Sequence, residues 1–247
     1  MKSPDKQSIS IVIPCYNEEE GIPNLIQKLT PAVEALQKKH SVELIFVDDG
    51  STDKTNQLLH RSYDNNPKAK IIKHETNRNL GAALRTGFQH ASGDLVAALD
   101  CDCTYDPMLL LQMVEMMDEQ TDMVTVSPYH PQGKVSDVPP YRIILSKGAS
   151  FLYRILLNWD LYTYTAMVRM YKKKVIRAIP FERDNFLGVT ELLVKALLKR
   201  YTIKELPAEL QMRKFGISKM KKIPLKVIKD HFSLMSSIIK YKITGHY

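Results

Sequence analysis

Short apolar runs alternate with longer amphipathic stretches along the first half of the chain. Five runs rich in isoleucine and valine have the length of β-strands, at residues 9–14, 42–48, 70–75, 95–100 and 123–127. The stretches between them repeat apolar residues at helical spacing, as at Leu25, Leu29, Val33 and Leu36. Strands that alternate with helices in this way predict an α/β domain with a mostly parallel central sheet and helices on both faces.

The pattern changes after residue 127. Residues 127–140 carry several prolines and a glycine, which is typical of a loop. Apolar spacing then predicts a helix at 141–158, a strand at 167–171, a helix at 190–200 and a strand at 202–210. Near the end, apolar residues at steps of three and four predict an amphipathic helix: Leu225, Ile228, Phe232, Met235 and Ile239. Such a stripe either packs on its own domain or lies in a membrane interface.

Polar side chains follow three of the predicted strands. They are Tyr16, Asn17 and Glu18 after the first strand, Asp48 and Asp49 after the second, and Asp100 and Asp102 after the fourth. Ligands of open parallel sheets bind beyond the carboxyl ends of the strands. The sequence therefore predicts that these clusters converge on one crevice.

The turn after the first strand lacks the glycines of a dinucleotide-binding fold, and no P-loop sequence is present. Phosphates would then need a metal ion for neutralisation. Asp100 and Asp102 alternate, so in an extended segment both carboxylates would face one hard cation, Mg²⁺ or Mn²⁺. Two other interpretations stay open: the aspartates end a strand and cap a helix, or Cys101 and Cys103 contribute to a zinc site.

Composition limits the class of protein, and the distribution of charge limits the kinds of partner that it binds. The 247 residues are 44% hydrophobic and 25% charged, which fits one globular domain. The net charge is +8, and residues 199–247 hold 12 basic against 3 acidic residues. A basic segment favours an acidic partner: nucleic acid, a phosphorylated substrate or an anionic membrane. Because no nucleic-acid-binding motif is visible, we do not expect nucleic acid.

Three features of the sequence bear on the cellular location of the protein: the number of cysteines, the polar start and the lack of a long apolar run. Three cysteines do not make a disulfide framework, so a reducing compartment is expected. The first residues lack the apolar core of a signal peptide, and no run approaches the roughly 18 residues of a membrane span. We expect a cytoplasmic protein, peripheral on the cytoplasmic face of a membrane, with a separate membrane-anchor subunit left open.

Four motifs occur in order over the first 130 residues. They read Ile-Val-Ile-Pro-Cys-Tyr-Asn-Glu at 11–18, Val-Asp-Asp-Gly-Ser-Thr-Asp at 47–53, Asn-Leu-Gly-Ala-Ala at 79–83 and Asp-Cys-Asp at 100–102. Together they resemble the family 2 inverting glycosyltransferases of the GT-A fold. Arg142 with Ser146, then Glu191, then Arg-Lys-Phe-Gly-Ile-Ser-Lys at 213–219 are similar to polyprenyl-phosphate sugar synthases, the group that includes dolichol-phosphate mannose synthase.

The resemblance implies a role for each cluster. A GT-A catalytic domain would span residues 1–222, and a basic amphipathic helix at 223–247 would contact the membrane surface. The base and ribose of a nucleotide-sugar donor would be held by Pro14, Tyr16, Glu18, Val47 and Asp49. The diphosphate would lie along Asp100, Cys101 and Asp102, with Asp100 and Asp102 binding Mg²⁺ or Mn²⁺. Arg213 and Lys219 would close over the phosphates, on a loop that contains Gly216.

The same resemblance implies the reaction. Arg142 and Ser146 would receive the phosphate of a polyprenyl or dolichyl phosphate. This phosphate is already anionic, so its attack on the anomeric carbon needs no general base, and Asp102, Arg213 and Lys219 would carry catalysis by stabilising the departing nucleotide. In-line displacement inverts the anomeric centre. Two alternatives remain: transfer to a glycolipid or polysaccharide hydroxyl with Glu191 as base, or a non-catalytic nucleotide-sugar binder.

Two departures leave the sugar open. The mannose synthases carry an arginine after the fifth strand, where this chain has Val-Ser-Pro-Tyr at 126–129. Their small residues near the expected sugar pocket are altered in the segment 164–169. Both GDP-mannose and a UDP-hexose therefore stay open as donors.

Overall fold

A seven-stranded sheet forms the centre of the computed structural model, which describes residues 7–213, 215 and 225–245. The strand order is β3-β2-β1-β4-β7-β5-β8, and β7 alone among these strands runs antiparallel to its neighbours. The strands are β1 Ser8–Cys15, β2 Ser41–Asp48, β3 Ala69–Lys73, β4 Leu95–Ala98, β5 Met123–Ser127, β7 Arg169–Lys172 and β8 Ile203–Pro207. The predicted mostly parallel α/β sheet is confirmed. Since β1 lies between β2 and β4, the strand order reverses at β1, which is where open sheets bind ligands.

Helices cover both faces of the sheet. They are α1 Ile22–Gln37, α2 Thr55–Tyr63, α3 Leu80–His90, α4 Leu109–Met116, α5 Pro140–Leu156, α6 Lys173–Ala178, α7 Leu187–Leu198 and α8 Leu225–Thr244. Because successive strand residues point to opposite faces, Ile11 and Ile13 join Leu25 of α1 in one core cluster, while Val12 joins Leu84 of α3 in the other. Apolar residues on both faces explain why the strands read as continuous apolar runs.

Two predicted strands differ in extent from the observed ones. The fourth strand ends at Ala98, and residues 100–103 form a turn in which the Cys103 amide donates to the Asp100 carbonyl at 3.3 Å. The predicted strand at 202–210 divides into β8 and a short strand, β9 Glu209–Gln211. β9 pairs in parallel with β6 Lys134–Ser136, which lies inside the segment predicted as a loop. Three-residue strands are too short to give a periodic signal.

The C-terminal helix α8 packs on the body and also exposes apolar side chains. Leu234, Met235 and Ile238 are buried in the core cluster shared with α7. Phe232 and Ile239, both in the predicted stripe, remain 58% and 47% exposed. Most of the stripe is therefore not the face that packs. Within the described ranges, no helix combines the length and apolarity required to traverse a bilayer.

Candidate active site

The loop after β1 is tied to the loop after β2. The Asp49 amide donates to the Cys15 carbonyl at 2.8 Å, and the Glu18 amide donates to the Thr55 hydroxyl at 2.7 Å. The Asn17 amide donates to the Ser51 hydroxyl at 2.9 Å. These bonds satisfy the backbone groups that the strands leave unpaired where they end. They bring the first two predicted clusters together at the carboxyl edge of the sheet, as expected.

Asp49 is the centre of a buried hydrogen-bond cluster. Its Oδ1 lies 2.7 Å from Nδ1 of His74 and accepts the Arg78 amide at 2.9 Å, while its Oδ2 accepts the Asn77 amide group at 2.9 Å. Only 3% of Asp49 is exposed. Gly50 allows the approach of this segment, because it has a φ of +73° and an added Cβ would lie 2.4 Å from the Thr76 carbonyl carbon. No motif or spacing in the sequence selects His74.

Asp100 and Asp102 lie in the turn after β4 rather than in an extended strand. The Thr104 amide donates to Asp102 Oδ1 at 3.2 Å, and the Thr104 hydroxyl donates to Asp100 Oδ2 at 3.5 Å. Burial, and then the neighbouring charge of Asp102, raise the pKa of Asp100 well above its ordinary value. The predicted extended segment at Asp100 and Asp102 is therefore wrong, but the two carboxylates are electrostatic neighbours.

Arg213 connects this turn to the loop after β1. Its Nε donates to Asp102 Oδ2 at 3.1 Å, and its Nη2 donates to Glu18 Oε1. The Arg213 and Glu18 side chains are 14% and 7% exposed, so both charges are largely withdrawn from water. The crevice thus brings together Glu18, Asp102 and Arg213, three of the residues predicted to bind the donor. Lys219 and Gly216 lie outside the described residues.

Cys101 and Val47 contribute little side-chain surface to the crevice. The Cys101 thiol lies 3.3 Å from the Cys15 thiol, and both belong to the core cluster against α1. Cys103 is also buried there. Val47 is fully buried on the opposite face of the sheet, whereas Pro14 and Tyr16 are half-buried at the strand end. Any donor contact of Val47 or Cys101 would be through the backbone.

Metal ligands among the described residues are limited to pairs. Across 7–213, 215 and 225–245, no group of three or more His, Cys, Asp and Glu side chains is arranged to hold a metal ion. Nothing here supports the zinc interpretation, because zinc needs three or four protein ligands. A hard divalent cation is different, since one or two carboxylates together with water and phosphate oxygens suffice. Asp100 and Asp102 fit that requirement.

The predicted acceptor residues lie on α5. Arg142 and Ser146 are one helical turn apart and share a face. The Ser146 hydroxyl lies 2.6 Å from the Thr165 hydroxyl, and it is an electrostatic neighbour of Tyr129, whose pKa is raised by burial. Arg142 is partly exposed and donates from Nε to the Tyr141 hydroxyl at 3.2 Å. Sequence reasoning did not identify Tyr129 or Thr165, which come from loops 17 and 19 residues away from Ser146.

Arg169 is fully buried next to the segment that carries Thr165. Its guanidinium donates to the Tyr164 carbonyl at 2.7 Å, to the Thr125 hydroxyl at 3.2 Å and to the Val189 carbonyl. It therefore joins the segment that carries Thr165 to β5 and to the start of α7. Buried arginines require this kind of full hydrogen bonding.

Glu191 is enclosed in α7. Its Oε2 accepts the backbone amides of Glu182 and Arg183 at 3.1 and 3.0 Å, and its Oε1 lies 2.7 Å from Nζ of Lys195. Only 3% of the residue is exposed. Both carboxylate oxygens are already engaged and the side chain is enclosed, so this geometry favours a structural role.

A groove of about 570 Å³ extends from Arg213 along the small second sheet. Its walls combine charged and polar side chains, at Lys134, Ser136, Asp137, Glu209, Gln211, Met212 and Arg213. The Gln211 amide donates to the Thr104 carbonyl at 2.9 Å, which attaches the groove to the turn of Asp100 and Asp102. The sequence did not indicate this groove because β6 was predicted as a loop.

Relatives with known names resemble this chain over most of its length. A dolichol-phosphate mannosyltransferase of Pyrococcus furiosus is 28% identical over 96% of this chain and 68% of its own. An undecaprenyl-phosphate 4-deoxy-4-formamido-L-arabinose transferase of Salmonella choleraesuis is 32% identical over 86% of this chain. The chain spans 62% of the length of that second relative.

Solved structures agree on the fold. Glucosyl-3-phosphoglycerate synthase of Mycobacterium tuberculosis, crystallised with Mn²⁺, uridine diphosphate and glucosyl-3-phosphoglycerate, superposes with a TM-score of 0.68 at 20% identity. The match covers 98% of this chain and 81% of that one. Residues 10–179 match the family described as Glycosyl transferase family 2. Because this match covers more than half of the chain and the GT-A fold agrees, the protein is a member of glycosyl transferase family 2.

Proposed function

We propose that this glycosyltransferase moves a hexose from a nucleotide sugar to a polyprenyl phosphate, with inversion at the anomeric carbon. The observation that carries the proposal is the Arg213 contact with Glu18 and Asp102, which unites an acidic donor site from three distant parts of the chain. The names of the two relatives support the acceptor class. Those names specify different sugars, mannose and a substituted arabinose, so they do not select one donor, and the proposal keeps both GDP-mannose and a UDP-hexose.

The donor nucleotide would bind in the crevice beyond β1 and β2. Tyr16 and Pro14 are accessible there and would contact the base and ribose. Asp49 is buried and already has three hydrogen bonds. It would therefore hold the loop in place and present an edge to which the ring of the nucleotide base binds. Glu18 and the backbone of Val47 would complete the nucleoside site. A preorganised site of this kind limits the entropy cost of binding.

The diphosphate would lie between Asp102 and Arg213. Asp100 and Asp102 would hold Mg²⁺ or Mn²⁺, which supplies positive charge to the leaving nucleotide diphosphate. The position fits a cation, since the Arg213 guanidinium already lies against Asp102 and Glu18. Arg213 would turn from these carboxylates to the phosphates, and Lys219 would add a second positive charge. Both stabilise the charge that develops on the departing phosphate.

The acceptor phosphate would bind on α5. Arg142 supplies charge, and Ser146 supplies a hydroxyl that the Thr165 hydroxyl, 2.6 Å away, holds in place. A phosphate nucleophile is ionised near neutral pH, so the residues need only align it with the anomeric carbon. The enclosed Glu191 is consistent with a reaction that uses no general base. Transfer to a hydroxyl, in contrast, would require a carboxylate that is free to accept a proton.

Membrane association would follow from the acceptor. Helix α8 leaves Phe232, Ile239 and Ile243 exposed beside Lys240 and Lys242, which is the composition of an interfacial helix. We infer peripheral binding at the cytoplasmic face, where anionic lipids attract basic segments. A separate membrane-anchor subunit would add to this binding.

The proposal is tested by offering a panel of nucleotide sugars with radiolabelled short polyprenyl phosphate and reading the product in the organic phase. Asp102→Asn should abolish transfer while the protein stays folded, because it removes one of two metal carboxylates. Near-normal transfer by this variant would contradict the metal role. Binding of GDP or UDP with Mn²⁺ but no transfer of any sugar would favour the non-catalytic binder.

Glu191→Gln separates the two acceptor classes. With a phosphate acceptor we expect the variant to keep kcat within about threefold, since Glu191 is structural. A hydroxyl acceptor that needs a base would lose about 10²- to 10⁴-fold in kcat. A thermal melt of the same variant reports the structural cost of breaking the Lys195 pair independently of turnover.

A further inference from the structure

A cavity of about 210 Å³ lies beside α5, separate from the donor crevice. Two cations and three aromatic rings line it: Lys147, Arg154, Tyr129, Phe151 and Tyr162. No acidic side chain is among these residues. The motifs of the sequence did not include this cavity, and the proposed reaction does not use it.

Both cations of the cavity rest on aromatic rings. Lys147 Nζ lies 5.3 Å from the ring centre of Tyr129, and the Arg154 guanidinium lies 4.4 Å from the ring centres of Tyr162 and Trp159. Among the described residues, neither cation has a carboxylate within ion-pair distance. Arg154 is also anchored, since Nε and Nη2 both donate to the Trp159 carbonyl. The rings place the cations without neutralising them, so positive charge remains available to an anion.

The surface around the cavity is apolar and exposed. Ile144, Phe151, Ile155 and Trp159 are between 50% and 69% exposed. On α5, positions 144, 151 and 155 fall on one face of the helix, and Lys147 and Arg154 lie along one flank of that face. A free phosphate would bind the cations but would leave this apolar ridge in water. An amphiphile with an anionic head and apolar chains would satisfy both surfaces.

Tyr129 separates the cavity from the acceptor residues. Its ring lies under Lys147, and its hydroxyl is an electrostatic neighbour of Ser146. The cavity and the acceptor site are therefore neighbours with a common wall, and their cations lie on different sides of α5. The acceptor has a single phosphate, which Arg142 and Ser146 would receive, so the cavity is available to a second anion.

We propose that the cavity of Lys147 and Arg154 binds the phosphodiester headgroup of an anionic membrane phospholipid. The ridge of α5 would enter the headgroup layer of the bilayer, and the bound headgroup would hold α5 at the membrane surface next to the acceptor site. The inference rests on the proposed function in one respect, since a lipid acceptor is what brings the enzyme to the bilayer.

Trp159 provides the readout, because it is the only tryptophan of the chain and its ring contacts Phe151 and Arg154. The full chain is titrated with vesicles of phosphatidylcholine alone or mixed with phosphatidylglycerol. We expect the Trp159 emission to shift to shorter wavelength with the mixed vesicles and to change little with phosphatidylcholine. Soluble glycerol phosphate, which has the phosphate without the chains, should leave the emission unchanged.

Lys147→Ala tests the cavity, and Lys38→Ala and Lys240→Ala are matched controls. All three are exposed lysines, but Lys38 ends α1 and Lys240 lies on α8. One basic residue at a membrane surface contributes about 1 kcal/mol, so we expect Lys147→Ala to weaken vesicle binding about fivefold and to reduce the emission shift at saturation. Lys240→Ala should weaken binding without changing that saturating shift, and Lys38→Ala should change neither.

Equal effects of the Lys147 and Lys240 substitutions on affinity and on emission would overturn the proposal, since they would show diffuse attraction rather than a site. Lack of an emission response to phosphatidylglycerol would also overturn it. The proposed function is judged separately, by calorimetric binding of a nucleoside diphosphate with Mn²⁺ and by transfer to short polyprenyl phosphate in detergent. If sugar transfer is observed but the Trp159 emission does not respond to phosphatidylglycerol, only the proposal of a headgroup site is contradicted.

Discussion

Removal of the Arg213 side chain should strengthen the binding of Mn²⁺ in the absence of nucleotide. The Arg213 guanidinium donates to Asp102 at 3.1 Å and to Glu18, and the side chain is only 14% exposed. A divalent cation that takes Asp102 as a ligand must displace this contact. Arg213→Ala removes the competitor and also a positive charge that repels the metal. Both effects increase the affinity for Mn²⁺.

The expected increase in Mn²⁺ affinity can be calculated from the Nε contact of Arg213 alone. A hydrogen bond between charged groups contributes about 1.5–3 kcal/mol, and the low exposure of Arg213 places it within that range. Taking the lower end, the affinity for Mn²⁺ should rise about tenfold, since 1.4 kcal/mol is a factor of ten. The variant should also lose about 1–3 kcal/mol of unfolding free energy without metal, because Glu18 and Asp102 are left together without their cation.

The assay is a titration of the nucleotide-free protein with Mn²⁺, in which electron paramagnetic resonance reports the free ion. Arg177→Ala is the matched control, since Arg177 is an exposed arginine of α6. With a nucleoside diphosphate present the order should reverse, because Arg213 then contributes to phosphate binding. An unchanged or weaker Mn²⁺ affinity for nucleotide-free Arg213→Ala would refute the competition between Arg213 and the metal.

Two further predictions concern charges outside the metal site. Burial opposes ionisation of Glu43, but hydrogen bonds from Ser10, Ser92 and Lys70 prevail and lower its pKa to about 2. The ordinary pKa is 4.5, so the stabilisation of the folded protein by ionised Glu43 is complete above pH 4.5 and is lost as the pH falls towards 2. In urea unfolding, Glu43→Gln should therefore lower the free energy of unfolding by about 2 kcal/mol at neutral pH and by progressively less in acid. The control Glu34→Gln, at an exposed position, should change it by almost nothing. His74→Ala removes the donor at 2.7 Å from Asp49 and should raise the donor KM about tenfold with a smaller change in kcat. His74→Asn, whose amide can replace Nδ1, should restore part of that KM; a loss of kcat alone would contradict a positioning role.

Sequence patterns predicted the sheet because its strands are buried on both faces. Runs such as 9–14 and 42–48 keep their apolar character wherever the chain folds, so their strand identity was readable locally. The short strand β6 has neither length nor burial and was predicted as a loop, and the break that separates β9 from β8 was not predicted. The turn at Asp100 was misread as extended because the apolar run continues to Leu99, one residue past the last pair of the β4 ladder.

The parts of the site that escaped prediction are contacts between distant residues. Arg213 meets Asp102 across 111 positions and Glu18 across 195, and spacing along the chain does not encode which acid it will approach. The resemblance supplied Arg213 as a phosphate ligand but gave no indication of its partners in the ligand-free protein. Likewise, the helix at 140–156 was readable from its apolar period, but its cavity depends on Tyr129 and Tyr162, which other segments bring to it.

The two sides of the candidate site have opposite charge, and this arrangement limits the chemistry. The proposed donor side presents a buried carboxylate at Glu18 and half-buried carboxylates at Asp100 and Asp102, so an anionic diphosphate requires a cation there. The acceptor side presents Arg142 and the hydroxyls around Ser146, which suit an anion directly. An ionised acceptor would be bound by one side and repelled by the other until the diphosphate and its cation cover the carboxylates. From this difference in charge we predict ordered binding, with the nucleotide sugar first.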